Sequence, residues 1–247
     1  FSIVASSVYI FNDIIDIKSD KLHPRKKLRP IASGEITISL GKLIASSLLI
    51  IGLLLSFYID QKLFFLMLIY FLLASLYSLS LKQKIILDIT ILSLFYTMRI
   101  IAGGLILDVM PSVWLLAFSL FFFFSLASIK RQAELVDIVK RKKITTKGRG
   151  YNSTDLVILT ISGLSAGYVS VLIMAFYVNS AEIIKLYSQP VALWGICLVL
   201  LYWITRMILI TNRGSMKDDP IIFAAQDKTS IYCLLIIISF ILLAVLL

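Results

Sequence analysis

The sequence is poor in the side chains that build most soluble sites and scaffolds: one histidine, two cysteines and five prolines in 247 residues. Cys197 and Cys233 stand in different apolar stretches, which excludes a disulfide role and leaves them as small core residues. His23 precedes Pro24 in a basic segment, where a loop residue is a better reading than a general base. Acidic residues are also scarce, 14 against 24 Lys and Arg, so any place where they gather is informative. What is abundant is apolar surface. Hydrophobic residues make up 60% of the chain and the mean hydropathy is +0.97, which excludes a soluble domain of ordinary composition. The chain reads as an all-α polytopic membrane protein.

Apolar stretches long enough to cross a bilayer, about 20 residues each, run over 40–59, 62–81, 86–107, 112–129, 154–178, 190–211 and 229–247. Residues 1–11 make a short eighth that must continue through Asp13 to cross. The chain opens at Phe1, nothing there reads as a signal peptide, and an N-terminal helix is expected to be missing. Residues 1–247 read as a single transmembrane helical domain. The two longest polar connections, 16–40 and 130–153, stand four helices apart, and an even number of crossings returns the chain to the same side. That spacing suggests two four-helix units in parallel orientation, unlike the inverted repeats of many transporters.

A net charge of +10 points towards nucleic acid, but its placement decides against that. Of the 24 Lys and Arg, 20 fall in four alternate connections, 16–42, 82–84, 130–149 and 212–228, while the intervening ones carry only Lys62 and Lys185. Basic connections are the cytoplasmic ones. The protein is therefore expected in the cell (inner) membrane, with loops 16–40 and 130–153 forming a cytoplasmic active-site face. Membrane lipids surround it, no nucleic acid is a partner, and its oligomeric state is left open.

That face holds the main concentration of acid. In FNDIIDIKSD, Asn12, Asp13, Asp16 and Asp20 fall within about 100° of one another on a helix of 3.6 residues per turn, if the helix continues that far. Two carboxylates roughly 6 Å apart repel by about 3 kcal/mol at an effective dielectric of ~20, so three on one face favour protonation or a bound cation. The donors are all oxygen, with no His or Cys in the stretch. Mg2+ fits such a set best, since it takes one or two carboxylates and completes its shell with substrate phosphate. Asp13, Asp16 and Asp20 are its expected ligands, with Asn12 beside them.

A mixed cluster opens the other long connection. In SIKRQAELVD, Lys130, Glu134 and Asp137 share a helical face and Arg131 lies one turn before Glu134. The plain structural reading is a helix end stabilised by ion pairs. The functional one has Lys130 and Arg131 neutralising phosphate and Glu134 holding a metal or a hydroxyl. Tyr77 and Lys82, at a span end in LYSLSLK, are ordinary interfacial residues or phosphate contacts. Asp88 and Arg99 share one span but lie roughly 16 Å apart along its axis, so they are not expected to pair. Each must face protein or water, because a charge at mid-bilayer costs about 2.5–3.5 kcal/mol. Arg206 reads as a snorkelling anchor. Asp218, Asp219 and Asp227 are solvated loop acids or close a polar cavity between the two clusters on the cytoplasmic face.

NDIIDIKSD after a hydrophobic span, followed by HPRKKLRPIASGEI, resembles the first aspartate-rich motif and loop of the UbiA superfamily of intramembrane prenyltransferases. Most of that superfamily carries a second aspartate-rich motif, DxxxD, where this chain has KRQAEL. Together with ILDITILSLFYTMRIIAGG and DDPIIFAAQD, KRQAEL resembles the branch called decaprenyl-phosphate phosphoribosyltransferase.

The resemblance implies a UbiA-like helical bundle of nine helices, eight of them visible here. It implies Mg2+-dependent transfer of 5-phosphoribose from phosphoribosyl diphosphate to a polyprenyl (decaprenyl-type) phosphate, releasing diphosphate and giving a precursor of cell-wall arabinan. The catalytic residues are then Asp13, Asp16, Lys130 and Glu134, while Asn12, Lys26, Arg29, Tyr77, Lys82, Arg131 and Asp137 bind substrate. Two alternatives stand beside this. One is a prenyltransferase moving a prenyl group from prenyl diphosphate to an aromatic or haem acceptor, which the missing second DxxxD argues against. The other is a membrane carrier or channel using Asp88 and Arg99, which the short, nearly uncharged outer connections argue against.

Overall fold

A computed structural model describes residues 1–22, 26–140, 149–216 and 219–246; His23, Asp218 and residues 141–148 lie outside them. Among the described residues every regular element is a helix. Seven helices among the described residues are long and apolar enough to cross a membrane, and a shorter apolar one accompanies them. The protein is a multi-pass membrane protein of the expected all-α class, and its chain divides into two compact units.

The first unit comprises Phe1–Ile91 and Met98–Pro111, together with Arg149 and Gly150. Its helices are α1 (Ser2–Ile15), α2 (Ile17–Lys21), α3 (Pro30–Ser33), α4 (Ile38–Ile59), α5 (Gln61–Leu79) and the two ends of α6 (Leu87–Leu107). Thr37 and Asp60 start α4 and α5: their side chains accept the Leu40 and Leu63 amides at 3.3 and 3.0 Å, satisfying donors that a helix start leaves open. Helix α1 packs on α4 where α4 is smooth. Gly41, Ala45 and Gly52 are buried there, a side-chain carbon on Gly52 would fall 2.6 Å from Val4 Cγ2, and Ser7 donates to the Ala45 carbonyl at 2.7 Å. Lipid is as apolar as the helices, so close approach and such bonds hold the pair together.

The second unit takes in Leu92–Thr97 of α6 and the described residues beyond Ser112 other than Arg149 and Gly150. Its further helices are α7 (Val113–Lys140), α8 (Leu156–Val178), α9 (Ala181–Leu186), α10 (Trp194–Asn212), α11 (Pro220–Gln226) and α12 (Lys228–Leu246). Gly163 and Gly167, in GxxxG spacing on α8, face Ser128 and Ser125 of α7. A side-chain carbon on Gly163 would lie 2.9 Å from Ser128 Cβ, and one on Gly167 2.5 Å from Ile204 Cγ2 of α10. Beside this seam, Leu126, Ile129, Ile204, Met207 and Ile208 form a buried core, with Phe122 stacked on Trp203 at 5.9 Å. Cys197 and Cys233 are buried free thiols, as their settings suggested.

Two expected boundaries move. The span read as 112–129 continues as helix to Lys140, so the first residues of the connection read as 130–153 are helical; KRQAEL is made of good helix formers and nothing in it stops a helix. Helix α1 ends at Ile15, which at about 1.5 Å per residue makes it shorter than a bilayer's hydrocarbon core.

Candidate active site

In the first unit Asn12, Asp13, Asp16 and Asp20 stay clustered, although the helix that carries them is interrupted. Asp16 closes α1 with φ −85° and ψ 3°, and the chain restarts as α2. Across the break the Asp20 amide still donates to the Asp16 carbonyl at 2.8 Å, and Asp20 is 2% exposed. Pro30 begins α3 with Arg29 as its N-cap, and Gly34, at φ 91°, ends it in the left-handed conformation that glycine accepts most easily. Arg29 thereby reaches back over the acids. Its Nη1 stands 2.8 Å from Asp13 Oδ1 and 2.9 Å from Asp20 Oδ2, bridging the two carboxylates. Lys26 lies one turn earlier, on the 3-10 turn Lys26–Leu28.

Asp16 has a different cation. Lys82 Nζ lies 2.6 Å from Asp16 Oδ1 and 3.3 Å from Asn12 Oδ1, and Asn12 Nδ2 donates to Asp16 Oδ2 at 3.1 Å. Lys82 sits on the 3-10 turn Leu81–Gln83 after α5. The repulsion anticipated among three acids is thus offset by two cations from elsewhere in the chain. Among the described residues no three His, Cys, Asp or Glu side chains form a ready-made metal group. The donor set still suits Mg2+. Asp13, Asp16 and Asn12 offer oxygen alone, and this ion binds through one or two carboxylates with phosphate as its other ligand.

Tyr77, expected at substrate, donates its hydroxyl to Asp88 Oδ1 at 2.6 Å, and Arg149 Nη1 lies 3.2 Å from the same oxygen. Asp88 is fully buried. The Arg99 guanidinium lies 5.6 Å above the Phe1 ring. Just before Asp88, Ile86 has φ 66° and ψ −45°, and the Leu87 amide donates to the Ile85 carbonyl at 2.8 Å. This is a γ-turn of the strained positive-φ kind, costing on the order of 1–3 kcal/mol at a β-branched residue.

In the second unit the expected face of Lys130, Glu134 and Asp137 is divided among partners. Lys130 Nζ lies 2.6 Å from Asp219 Oδ2, and Asp219 Oδ1 also accepts the Ile221 amide at 3.0 Å, capping α11. A cavity of about 30 Å3 lined by Tyr96, Leu126, Lys130 and Asp219 lies alongside, room for one water. Arg131 is 1% exposed and pairs with Glu134 at 2.7 Å. Asp137 is exposed on α7.

Arg206 departs from the snorkelling expectation. It makes a bidentate pair with Asp227 at 2.6 and 3.0 Å, and Asp227 caps α12 by accepting from the Ser230 amide and hydroxyl at 2.8 and 2.7 Å. Those bonds, the Arg206 one foremost, hold the Asp227 carboxyl down at about 2. The residues that sequence reasoning missed as specific partners are Arg149, one charge in a basic run, and Gly150; nothing local marks either.

The fold is that of a polytopic helical membrane protein whose polar groups gather at helix ends, acids in one unit and a half-buried lysine paired with an acid in the other. Residues 1–224 match the UbiA prenyltransferase family, and the chain belongs to that family. It is 33% identical over 231 residues to the uncharacterized protein y4nM of Sinorhizobium fredii, covering 93% of this chain and 45% of that protein. It is 32% identical over 235 residues to nodulation protein NoeC of Azorhizobium caulinodans (95% of this chain, 76% of that protein). Identity is 28% over 231 residues to decaprenyl-phosphate phosphoribosyltransferase of Mycolicibacterium smegmatis (92% of this chain, 72% of that protein). The chain thus spans less than half the length of the first relative and about three quarters of the other two.

Proposed function

We propose that the protein transfers 5-phosphoribose from phosphoribosyl diphosphate to a polyprenyl phosphate of decaprenyl type, with Mg2+, at the cytoplasmic face of the cell (inner) membrane. Diphosphate is released, and the product is a precursor of cell-wall arabinan. The observation that carries this reading is the unequal charge of the two polar clusters. Acids concentrate at Asp13, Asp16 and Asp20, whereas α7 offers Lys130 where a second acidic motif would stand. One acidic cluster manages one metal-bound diphosphate, and a cation suits a second phosphate-bearing substrate. The likeness to the M. smegmatis phosphoribosyltransferase supports the same choice.

When diphosphate leaves C1, positive charge grows on the ribose and negative charge on the departing oxygens. Asp13 and Asp16, with Asn12, hold Mg2+, which when bound supplies charge neutralisation at those oxygens. Arg29 and Lys82 already rest on these carboxylates, so they serve the same diphosphate, with Lys26 adding positive charge and Asp20 keeping Arg29 in place. Lys130 binds the second phosphate. Glu134, oriented by Arg131, takes ribose hydroxyls, and Asp137 extends that face. The lipid phosphate is an anionic nucleophile from the start and needs no strong general base; the residues orient two anions and offset their repulsion. The polyprenyl tail lies along apolar helix surface.

A second reading, prenyl transfer from prenyl diphosphate to an aromatic or haem acceptor, is favoured by the family itself. A carrier using Asp88 and Arg99 has less support, since Asp88 is enclosed by Tyr77 and Arg149. The deciding experiment gives the purified protein Mg2+ and either phosphoribosyl diphosphate with polyprenyl phosphate, or prenyl diphosphate with an aromatic acceptor. Diphosphate release and a phosphoribosylated lipid by mass spectrometry are expected from the first pair alone. Reaction of the second pair alone overturns the phosphoribosyl reading.

A further inference from the structure

Lys82 is carried on a turn whose base is tied by a side-chain hydrogen bond between the two helices it joins. Tyr77, near the end of α5, donates to Asp88, the second residue of α6, at 2.6 Å. Asp88 is fully buried and its same oxygen faces Arg149 at 3.2 Å. The next residue, Gly150, presses on this turn from outside: its backbone lies so close to the Gln83 carbonyl that any side chain there would collide with it. Gln83 adjoins Lys82, and Ile86 further along holds a backbone conformation that a β-branched residue keeps only when its surroundings enforce it. Three constraints therefore converge on residues 82–88, and two of them come from a pair more than 60 positions downstream.

We propose that Arg149 and Gly150, acting through Asp88 and Gln83, are positioning residues that hold the turn so that the Lys82 ammonium reaches Asp16 and Asn12. Their effect on ligand rests on the reading of the acidic cluster as the diphosphate site; their effect on Lys82 does not. Arg149→Ala removes one charged partner of the buried Asp88 and loosens the turn, whereas Arg149→Lys keeps a positive charge at that position. Gly150→Ala displaces Gln83 and acts in the same direction. Asp88→Asn keeps an acceptor for Tyr77 but removes the charge that holds Arg149.

The test has two readouts on the purified full chain. In the first, a water-soluble amine-reactive ester labels lysines, read by peptide mass spectrometry. Lys82, 11% exposed in its side chain and paired, reacts slowly in the native protein. Arg149→Ala is expected to raise its labelling about tenfold through local opening, with Lys130 labelled as before and Arg149→Lys close to native. The second readout is calorimetric affinity for inorganic diphosphate with Mg2+, expected to fall about tenfold in Arg149→Ala, as for a change in a supporting shell. Unchanged Lys82 labelling in both Arg149→Ala and Asp88→Asn overturns the proposal. So does a joint rise at Lys82 and Lys130 that Arg149→Lys fails to reverse, because that is general loosening. Selective exposure of Lys82 in a protein that natively binds no Mg2+-diphosphate upholds the positioning role and overturns the diphosphate reading.

Discussion

Lys82 and Asp16 are 66 positions apart, yet the ammonium stands 2.6 Å from the carboxylate. Their side chains are 11% and 25% exposed, so neither charge is fully solvated and each depends on the other. Around them Asn12 bonds to both partners, which makes a small connected network and not an isolated surface pair.

This arrangement separates the acids by role. Asp13→Asn and Asp16→Asn are each expected to abolish Mg2+-dependent turnover in a protein that still folds, Asp16→Asn at some cost in thermal midpoint because it strips Lys82 of its carboxylate. Asp20 is buried beneath Arg29, so Asp20→Asn is expected to lower the midpoint more than it changes the Mg2+ requirement. Magnesium titrations of activity beside scanning fluorimetry distinguish the two patterns; native turnover in Asp13→Asn at saturating Mg2+ removes that carboxylate from the metal.

The Arg206–Asp227 pair predicts a pH dependence. The folded Asp227 carboxyl is lowered from 3.8 to about 2, chiefly by the hydrogen bond from Arg206. A depressed acid stabilises the fold above its unfolded value and loses that contribution as pH falls through its folded one. Asp227→Asn should therefore cost up to about 2 kcal/mol at pH 7, and the gap in midpoint between variant and native protein should close between pH 4 and pH 2. A gap of constant size across that range would mean that charge is not what Asp227 contributes.

Topology gives a third expectation. Ser33 lies in a basic connection and Asp60 between α4 and α5, one membrane crossing apart. Both native cysteines are buried, so single cysteines can be introduced at either position against a quiet background. A membrane-impermeant maleimide applied to intact cells is expected to label Asp60→Cys and spare Ser33→Cys. The reverse pattern would place the acidic cluster on the outer side and defeat the cytoplasmic assignment.

The sequence by itself determined the helical class, the membrane and nearly every span, because about 20 consecutive apolar residues have few other ways to satisfy their backbone groups. The acidic stretch was equally legible, since carboxylates at the end of an apolar helix have no packing role to explain them. Less legible were the helix ends: Asp16 interrupts the acidic helix with nothing local to mark the break, and α7 runs past the apolar span to Lys140, with the polar face read over 130–137 as part of it. The pairings belong to the tertiary structure alone. Arg29 bridges Asp13 and Asp20, Lys82 takes Asp16, Lys130 takes Asp219, and Arg206 takes Asp227, across separations of 9 to 89 positions. A charge in a sequence advertises its sign but not its partner. In a chain with ten more cations than anions, which cation each acid receives is decided by which helix ends the packing of small residues brings together.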